Sequence, residues 1–512
     1  MKALLIQPPL EDFYFSPARA AALGLEALKP ILERAGWTWS LKNYPREEHR
    51  GLVKSLPPEL GHLKPHLISG EGGPAGYFRS WRRFGPEPDI ISAEAATEKP
   101  DLILISCFAW AYAGETLELL PRLRAACPDS FLLVGGAGAT VMPRPFLSAG
   151  AQGVLRGEAE AGFPVLLEAL KGRRPLDSVP NLVQPGAAAA EEPPLPPEGP
   201  VAPVIGRVSV GSAPRYSASI TRGCPRGCRF CSNRLCHGTV FREASLTAVK
   251  RILGDRGIPS PGAGWHLNFE DDNLLMDREY FLASLEVFRE RSRRRSFTFS
   301  AENGLDYTLL NRDLIRLLKE KGLTQLNLSL GVFHPDRATE QNRFLRPDLY
   351  EAAAEAAAAL DLPVITYFIA GLPGDTSESC VDALVYLAGQ TTRAGISLFY
   401  PVPGLEGIPA PEVFSRMPPR LCAGSAAWPW VGSLTTEEMI TAFRLSRLVN
   451  LLKDPGDFTE LIETIGKTRR LHTLVKKDRR WVVTPVPRQD EAMVERFFRE
   501  AEKNRRRLRG RD

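Results

Sequence analysis

Two trains of short apolar runs, each run followed by a helix-like stretch, dominate this sequence. In the first train the runs are KALLI (2–6), WTWSL (37–41), PDLILIS (100–106), SFLLVGG (130–136) and GVLRGEAEAG (153–162). Most are apolar almost throughout instead of alternating, which is the pattern of strands buried on both faces of a parallel sheet covered by helices. Glycines follow the strand ends, where a doubly wound sheet binds ligands at its carboxyl edge. Ser16 and Pro17 are placed to open the first helix, as cap and first residue, and Leu25, Leu28, Leu32 and Ala35 give it an apolar stripe. Residues 44–98 break the alternation and are expected to be an insert. They carry His49, His62 and His66 and the run Tyr77, Phe78, Trp81, Arg82, Arg83. A packed helical excursion is the expectation for them, with a substrate cover as the alternative.

A Pro/Ala-rich stretch, 184–206, separates the trains and reads as a linker, bounded at 176–213. The second train runs YSASI (216–220), HLNFE (266–270), SFTFS (296–300), QLNLSL (325–330), PVITYFI (363–369) and ISLFY (396–400). Six βα units at this spacing suit a partial barrel with its chemistry at the C-terminal strand ends. The expected division is a Rossmann-like domain over 1–175, the linker, a barrel over 214–415, and a mainly helical extension over 416–512 with one strand at WVVTPV. The basic tail EKNRRRLRGRD is expected to be a solvated end.

Composition excludes several classes. Apolar residues make up 44% and charged residues 24%, ordinary for a globular chain. No apolar run approaches the ~18 residues of a membrane helix. A net charge of +5 is too small to argue for nucleic acid. Eight cysteines in 512 residues do not make a disulfide scaffold. The N-terminus reads as a strand, not a signal peptide, so a reducing cytoplasm is expected.

Four of those cysteines, Cys224, Cys228, Cys231 and Cys236, fall in TRGCPRGCRFCSNRLCHG, directly after the first barrel strand. Four thiolates, or three with His237, would suit a structural zinc site, and four an electron-transfer cluster. Alternatively Cys224, Cys228 and Cys231 alone hold three irons of a [4Fe–4S] cube and leave the fourth open for chemistry. Arg222, Arg226 and Arg229 would add positive charge beside such a cluster.

The C-x3-C-x2-C spacing, with Phe230 before the last cysteine and on a loop after the first barrel strand, resembles the radical S-adenosylmethionine (SAM) superfamily over residues 214–410. The resemblance implies that the open iron chelates SAM and that the reduced cluster cleaves it to a 5′-deoxyadenosyl radical. It implies a SAM ammonium grip from Glu270, Asp271 or Asp272 in NFEDDNLLMD. Glu302 in SAENGLD would reach the ribose, and Ser329 in LSLG lies at the next strand end. Arg343 or Arg346 would pair with the SAM carboxylate. Gly371 in the fifth-strand glycine motif and Pro401 in FYPVPG would lie along the adenine and the sixth-strand loop. Phe333 stands where relatives often carry an acid or amide. Cys236 is expected not to be a ligand.

PDLILIS, LLVGGAGAT and LRGEAEAG, ahead of such a barrel, resemble the flavodoxin-like cobalamin-binding domain of many radical SAM proteins. The resemblance implies a pocket lined by Gln7, Pro8, Ser106, Phe108, Gly135, Gly136, Gly138, Gly157 and Glu158. The loop QPPLEDFYF has no histidine and Ala137 replaces one in the Gly-Gly motif, so cobalamin without a His ligand from these loops is expected. The implied activity is methyl transfer to an unactivated carbon of a small molecule, with one SAM remethylating cobalt and another generating the radical. A flavodoxin- or ferredoxin-like protein would be the electron donor. The alternatives are a cobalamin-independent radical SAM oxidoreductase, cyclase or rearrangement enzyme, and a non-catalytic zinc or Fe–S binding protein.

Overall fold

A computed structural model describes residues 1–15, 21–47, 51–68, 72–73, 75–187, 194, 196–208, 214–255, 264–291 and 297–509. The Ser16–Pro17 helix start and His49 lie outside the described residues.

The N-terminal unit is built on β1 (Lys2–Gln7), β2 (Leu10–Asp12), β3 (Thr38–Asn43), β4 (Leu52–Val53), β5 (Arg82–Phe84), β6 (Leu102–Ser106), β7 (Phe131–Gly135), β8 (Gly153–Leu155) and β9 (Leu182–Val183). Its main sheet has the order β3-β1-β6-β7-β8-β9, parallel except for the last pair. Strand order reverses between β1 and β6, which sets a crevice at the carboxyl edge there. Apolar side chains leave both faces. Leu4, Ile6, Ile103 and Ile105 enter one core, and Ala3, Leu5, Leu102 and Leu104 the other. That is why the strands read as continuous apolar runs.

The insert is smaller than 44–98. Pro88 starts a helix over Pro88–Glu98 that packs against the helix Ala113–Ala126 and belongs to the regular alternation. Low apolar periodicity in PDIISAEAATE hid it. The remainder is not only a helical excursion, because β5 pairs antiparallel with both β2 and β4. Its aromatics join the core of the second half of the molecule: Phe13 stacks on Phe78 at 4.9 Å, and Tyr77 meets Phe443 edge-on at 5.2 Å.

The segment read as a linker carries a strand at each end. β9 extends the first sheet, and β10 (Val204–Arg207) closes the edge of the second. The second unit continues with β11 (Arg215–Ser219), β12 (Thr221–Arg222), β13 (Arg242–Glu243), β14 (Trp265–Phe269), β15 (Phe297–Ser300), β16 (Leu326–Gly331), β17 (Val364–Ala370) and β18 (Arg393–Leu398). One sheet runs β10-β11-β14-β15 and another β16-β17-β18, with parallel neighbours from β11 onward. Bridges at Phe299–Leu323 and Leu305–Leu328 connect the two arcs into a partial barrel.

In the extension, a Thr435–Glu438 capping box starts the helix Thr436–Lys453, which packs on β18 and on the helix Ser377–Gly389. Arg444 on it is fully buried and donates to the carbonyls of His66 (2.9 Å) and Arg488 (3.1 Å). The single strand expected at WVVTPV is half of a hairpin, β19 (His472–Lys477) with β20 (Arg480–Pro485).

Candidate functional site

The short antiparallel pair β12–β13 clamps the ends of the cysteine loop. Asp271, just beyond β14, fixes its entrance: one carboxylate oxygen accepts from the Ile220 and Thr221 amides (2.9 and 2.6 Å) and from Thr221 Oγ1 (2.7 Å). Burial pushes this carboxyl up to about 7 against the pull of those bonds. Asp272 accepts from the Gly223 amide (2.8 Å) and from Asn233 Nδ2 (2.8 Å) on the helix Asn233–His237 that follows the loop. Gly223 has φ 83° and an added Cβ would lie 2.1 Å from the Val240 carbonyl, so only glycine fits that turn. The acids expected to grip SAM are thus used in part to shape the loop, Asp271 in full burial. Glu270 accepts from Ser217 Oγ (3.2 Å) and Asn268 Nδ2 (2.7 Å) at the strand ends, and the Glu302 amide donates to Asn268 Oδ1 (2.9 Å).

Around the thiols, Asn273 Nδ2 lies 3.7 Å from Cys224 Sγ, and Arg343 Nη1 lies 3.8 Å from Cys228 Sγ. Arg343 also donates to the Ser329 carbonyl, while its Nε is buried with no protein partner. Phe230 and Arg343 both approach Gly331 at the end of β16. Arg346 is elsewhere: its guanidinium is exposed and paired with Asp348 at 2.7 Å. Of the two arginines expected near the SAM carboxylate, Arg343 lies beside a thiol and Arg346 pairs with Asp348 at the surface. Arg226 and Arg222 lend the thiols no free charge, because Arg226 pairs with Asp306 (2.7 Å) and Arg222 with Glu158 and Glu160 (3.2 and 2.6 Å). An added Cβ at Gly371 would meet Met439 and Leu434, and its amide donates to Asp375 Oδ2 at 2.9 Å.

The donor set fits an iron–sulfur cube with one open corner. Three thiols sit on one loop, and an arginine with an unused buried N–H stands beside them. Among the described residues no three His, Cys, Asp or Glu side chains converge on one metal point. Burial raises the thiols of Cys231 (to about 11) and Cys236 (to about 12) alike, so their titration does not separate one from the other.

Glu158 is buried in a cluster of side chains from the second domain. Its side chain is 2% exposed and it accepts from Arg222 (3.2 Å), His237 Nδ1 (3.1 Å) and Arg242, all on or beside the cysteine loop. Burial alone would raise its carboxyl. Hydrogen bonds from His237 and Arg242 and the charge of Arg222 outweigh that and hold it at about 2. Gly157 beside it has φ 66° and abuts Pro194 and the Cys236 carbonyl. Gly136 and Gly138 pack directly on the Cys107–Trp110 loop, where an added Cβ would come within 2.5 Å of Cys107 at either position. The glycines after β7 therefore close loop on loop.

A cavity of about 590 Å³ lies where the carboxyl-edge loops of the first sheet meet the barrel. Phe108, Tyr112 and Ala137 line it from the first domain, and Tyr367, Ile396 and Pro401 from the barrel. Asp12, Phe78, Ser425 and Phe443 complete it, and Cys236 reaches its wall. Of the residues expected around cobalamin, Phe108 lines this cavity; Gln7, Pro8, Ser106, Gly135, Gly136, Gly138, Gly157 and Glu158 do not. No histidine is among its described lining residues. Sequence reasoning missed Asn273, Asp12 and Tyr112. Asn273 and Asp12 stood in the stretches NFEDDNLLMD and QPPLEDFYF, but only the tertiary contacts give them partners.

Residues 218–387 match the family model described as the radical SAM superfamily, and residues 82–167 the B12 binding domain. The chain is similar to the hopanoid C-3 methylase of Methylococcus capsulatus, 29% identical over 252 residues, 46% of each protein. It is also similar to the bacteriochlorophyllide d C-12(1)-methyltransferase of Chlorobaculum tepidum, 24% identical over 205 residues, 38% of this chain and 42% of that one. The chain thus spans less than half the length of these two curated relatives. The fold resembles the solved radical S-adenosylmethionine methyltransferase TsrM from Kitasatospora setae with cobalamin and a [4Fe–4S] cluster bound. The TM-score is 0.56 at 15% identity, covering 79% of this chain and 76% of that one.

Proposed function

We propose that this chain, which joins a B12-binding domain to a radical SAM domain, is a cobalamin-dependent radical SAM methyltransferase acting on an unactivated carbon. When bound, the cluster with SAM supplies a carbon-centred radical and cobalamin supplies a transferable methyl group. The observation that carries the reading is the cavity closed jointly by the carboxyl-edge loops of the first sheet and the barrel, with the cysteine loop at its wall. Both curated relatives described above are named as methylating enzymes, which supports it.

In this reading Cys224, Cys228 and Cys231 hold the cluster, Arg343 orients the SAM carboxylate, and Asn273 donates to a thiolate. Asp271 and Asp272 keep the loop in shape. The aromatic cavity walls exclude water from a reactive carbon centre. A low-potential one-electron donor such as flavodoxin or ferredoxin and a reducing cytoplasm belong to the proposal. Among the described residues no helix is long and apolar enough to cross a membrane.

The test is anaerobic purification, followed by iron, sulfide, zinc and corrinoid analysis and an assay for 5′-deoxyadenosine with SAM and dithionite. Iron, a bound corrinoid and deoxyadenosine are expected. Zinc without iron refutes the radical reading. A reconstituted cluster protein with no corrinoid affinity refutes the methyltransferase and leaves the cobalamin-independent alternative.

A further inference from the structure

The acids after β14 fix the two ends of the cysteine loop, and its middle is held from another part of the barrel. The helix Pro335–Glu340, just beyond β16, stops in a left-handed turn. Asn342 there has φ 49°, and the Arg343 amide bonds back to the Ala338 carbonyl at 2.8 Å. Glycine is the usual residue at such a helix stop, and asparagine is the side-chain-bearing residue that tolerates it best. Here the side chain has a use that glycine could not meet. Asn342 Nδ2 donates to the carbonyls of Arg226 (3.3 Å) and Gly227 (3.1 Å), the two residues before Cys228. Two carbonyl acceptors leave only the NH2 end of the amide able to face the loop. On the other side of Cys228, the Arg229 amide donates to the Gln341 carbonyl at 3.1 Å. Arg343, next along, puts Nη1 3.8 Å from Cys228 Sγ. Three consecutive residues thus grip the stretch around the middle thiol. The contact is closed, because an added Cβ at Gly227 would lie 3.1 Å from Asn342 Nδ2.

The grip also orients a peptide. In a trans peptide the C=O and N–H point in opposite directions. Holding the Gly227 carbonyl on Asn342 therefore turns the Cys228 amide the other way. Cys228 is only 6% exposed, and among the described residues its amide has no protein acceptor. A buried amide is rarely left unpaired. A bound cluster brings sulfur acceptors beside its ligand residue, and hydrogen bonds to those sulfurs help to set its potential.

We infer that Asn342 is a positioning residue for the iron–sulfur cluster: it locks the Arg226–Gly227 backbone so that Cys228 is preset as a ligand and its amide is left to donate to the cluster. The inference rests on the radical SAM reading and deepens it by assigning a residue outside the cysteine loop.

Asn342→Gly isolates this role, because glycine suits the helix stop and removes only the two donated bonds. Asn342→Asp keeps the shape but turns an oxygen toward both carbonyls. Wild type and both variants are reconstituted anaerobically. Midpoint potential by electron paramagnetic resonance titration, iron release to a ferrous chelator and the urea midpoint are then measured without SAM. In Asn342→Gly the potential should fall and iron should leave about tenfold faster, while the urea midpoint stays at the wild-type value. Asn342→Asp should shift potential and release further in the same direction. A folded Asn342→Gly that loads no iron is the same loss carried to its limit and supports the inference. Wild-type potential and release rate in Asn342→Gly overturn it. So does a urea midpoint that falls in step with iron loss, since Asn342 would then act on the fold alone. Wild type that holds zinc without iron refutes the radical SAM reading and the inference with it. An iron-loaded wild type with an indifferent Asn342→Gly refutes the inference only.

Discussion

Glu158 joins the two domains at the cysteine loop, and replacing it should be costly. Its carboxylate leaves β8 of the first domain and is shared among Arg222, His237 and Arg242 of the second, with Arg222 and Arg242 only 11% and 10% exposed. Glu158→Ala takes a carboxylate partner from the buried Arg242, while Arg222 keeps Glu160 at 2.6 Å, a loss of about 3 kcal/mol for one broken buried pair. The carboxyl titration gives a similar size. It is held at about 2 against an ordinary value near 4.5, and ~1.4 kcal/mol per pKa unit makes about 3 kcal/mol. Because the folded value is the lower one, this stability is fully present above pH 4.5 and is lost as pH falls toward 2. Urea titration of wild type, Glu158→Ala, Arg242→Ala and the double variant at neutral pH measures it. The expectation is about 3 kcal/mol for Glu158→Ala and a coupling of ~1–3 kcal/mol in the cycle. A loss below ~1 kcal/mol with no coupling, the level of a surface ion pair, would refute the reasoning.

Changing Cys224, Cys228 or Cys231 to Ser should each abolish iron incorporation, whereas Cys236→Ser should keep the iron and a SAM-responsive electron paramagnetic resonance signal. Arg343→Met removes the cation 3.8 Å from Cys228 Sγ, so the cluster midpoint potential should fall and SAM should bind at least about tenfold more weakly; electrochemical titration and dialysis check this. His266 sits between Thr298 Oγ1 and Ser300 Oγ at 3.0 Å each, and burial with the charge of Arg215 lowers it to about 4. Its neutral form is the folded form, so stability should fall as pH drops from 6.5 toward 4, and His266→Gln should flatten the urea midpoint over that window.

The continuous apolar runs announced parallel strands because burial on both faces leaves no room for alternation, as β6 and β7 illustrate. The helix Pro88–Glu98 and the strands β4 and β5 escaped notice for the opposite reason. The helix mixes alanine and acid with little periodicity, and the two strands are very short with pairings set only by distant residues. The cysteine spacing was legible because one loop carries the four clustered thiols, so chain distance is a good guide to spatial distance. Glu158 shows the limit. A glycine–acid pair after a strand looks alike whether it lines a pocket or docks a neighbour, and here two arginines and a histidine 64 to 84 residues away decide for docking. Local pattern by itself determined the two α/β units, the cysteine loop and its place after a strand. Only the tertiary structure decided which acids shape that loop, which arginine stands beside the thiols, and that Asp12 lines the cavity between the first sheet and the barrel. Those choices depend on residues far apart in sequence whose electrostatic partners exist only once the domains are packed.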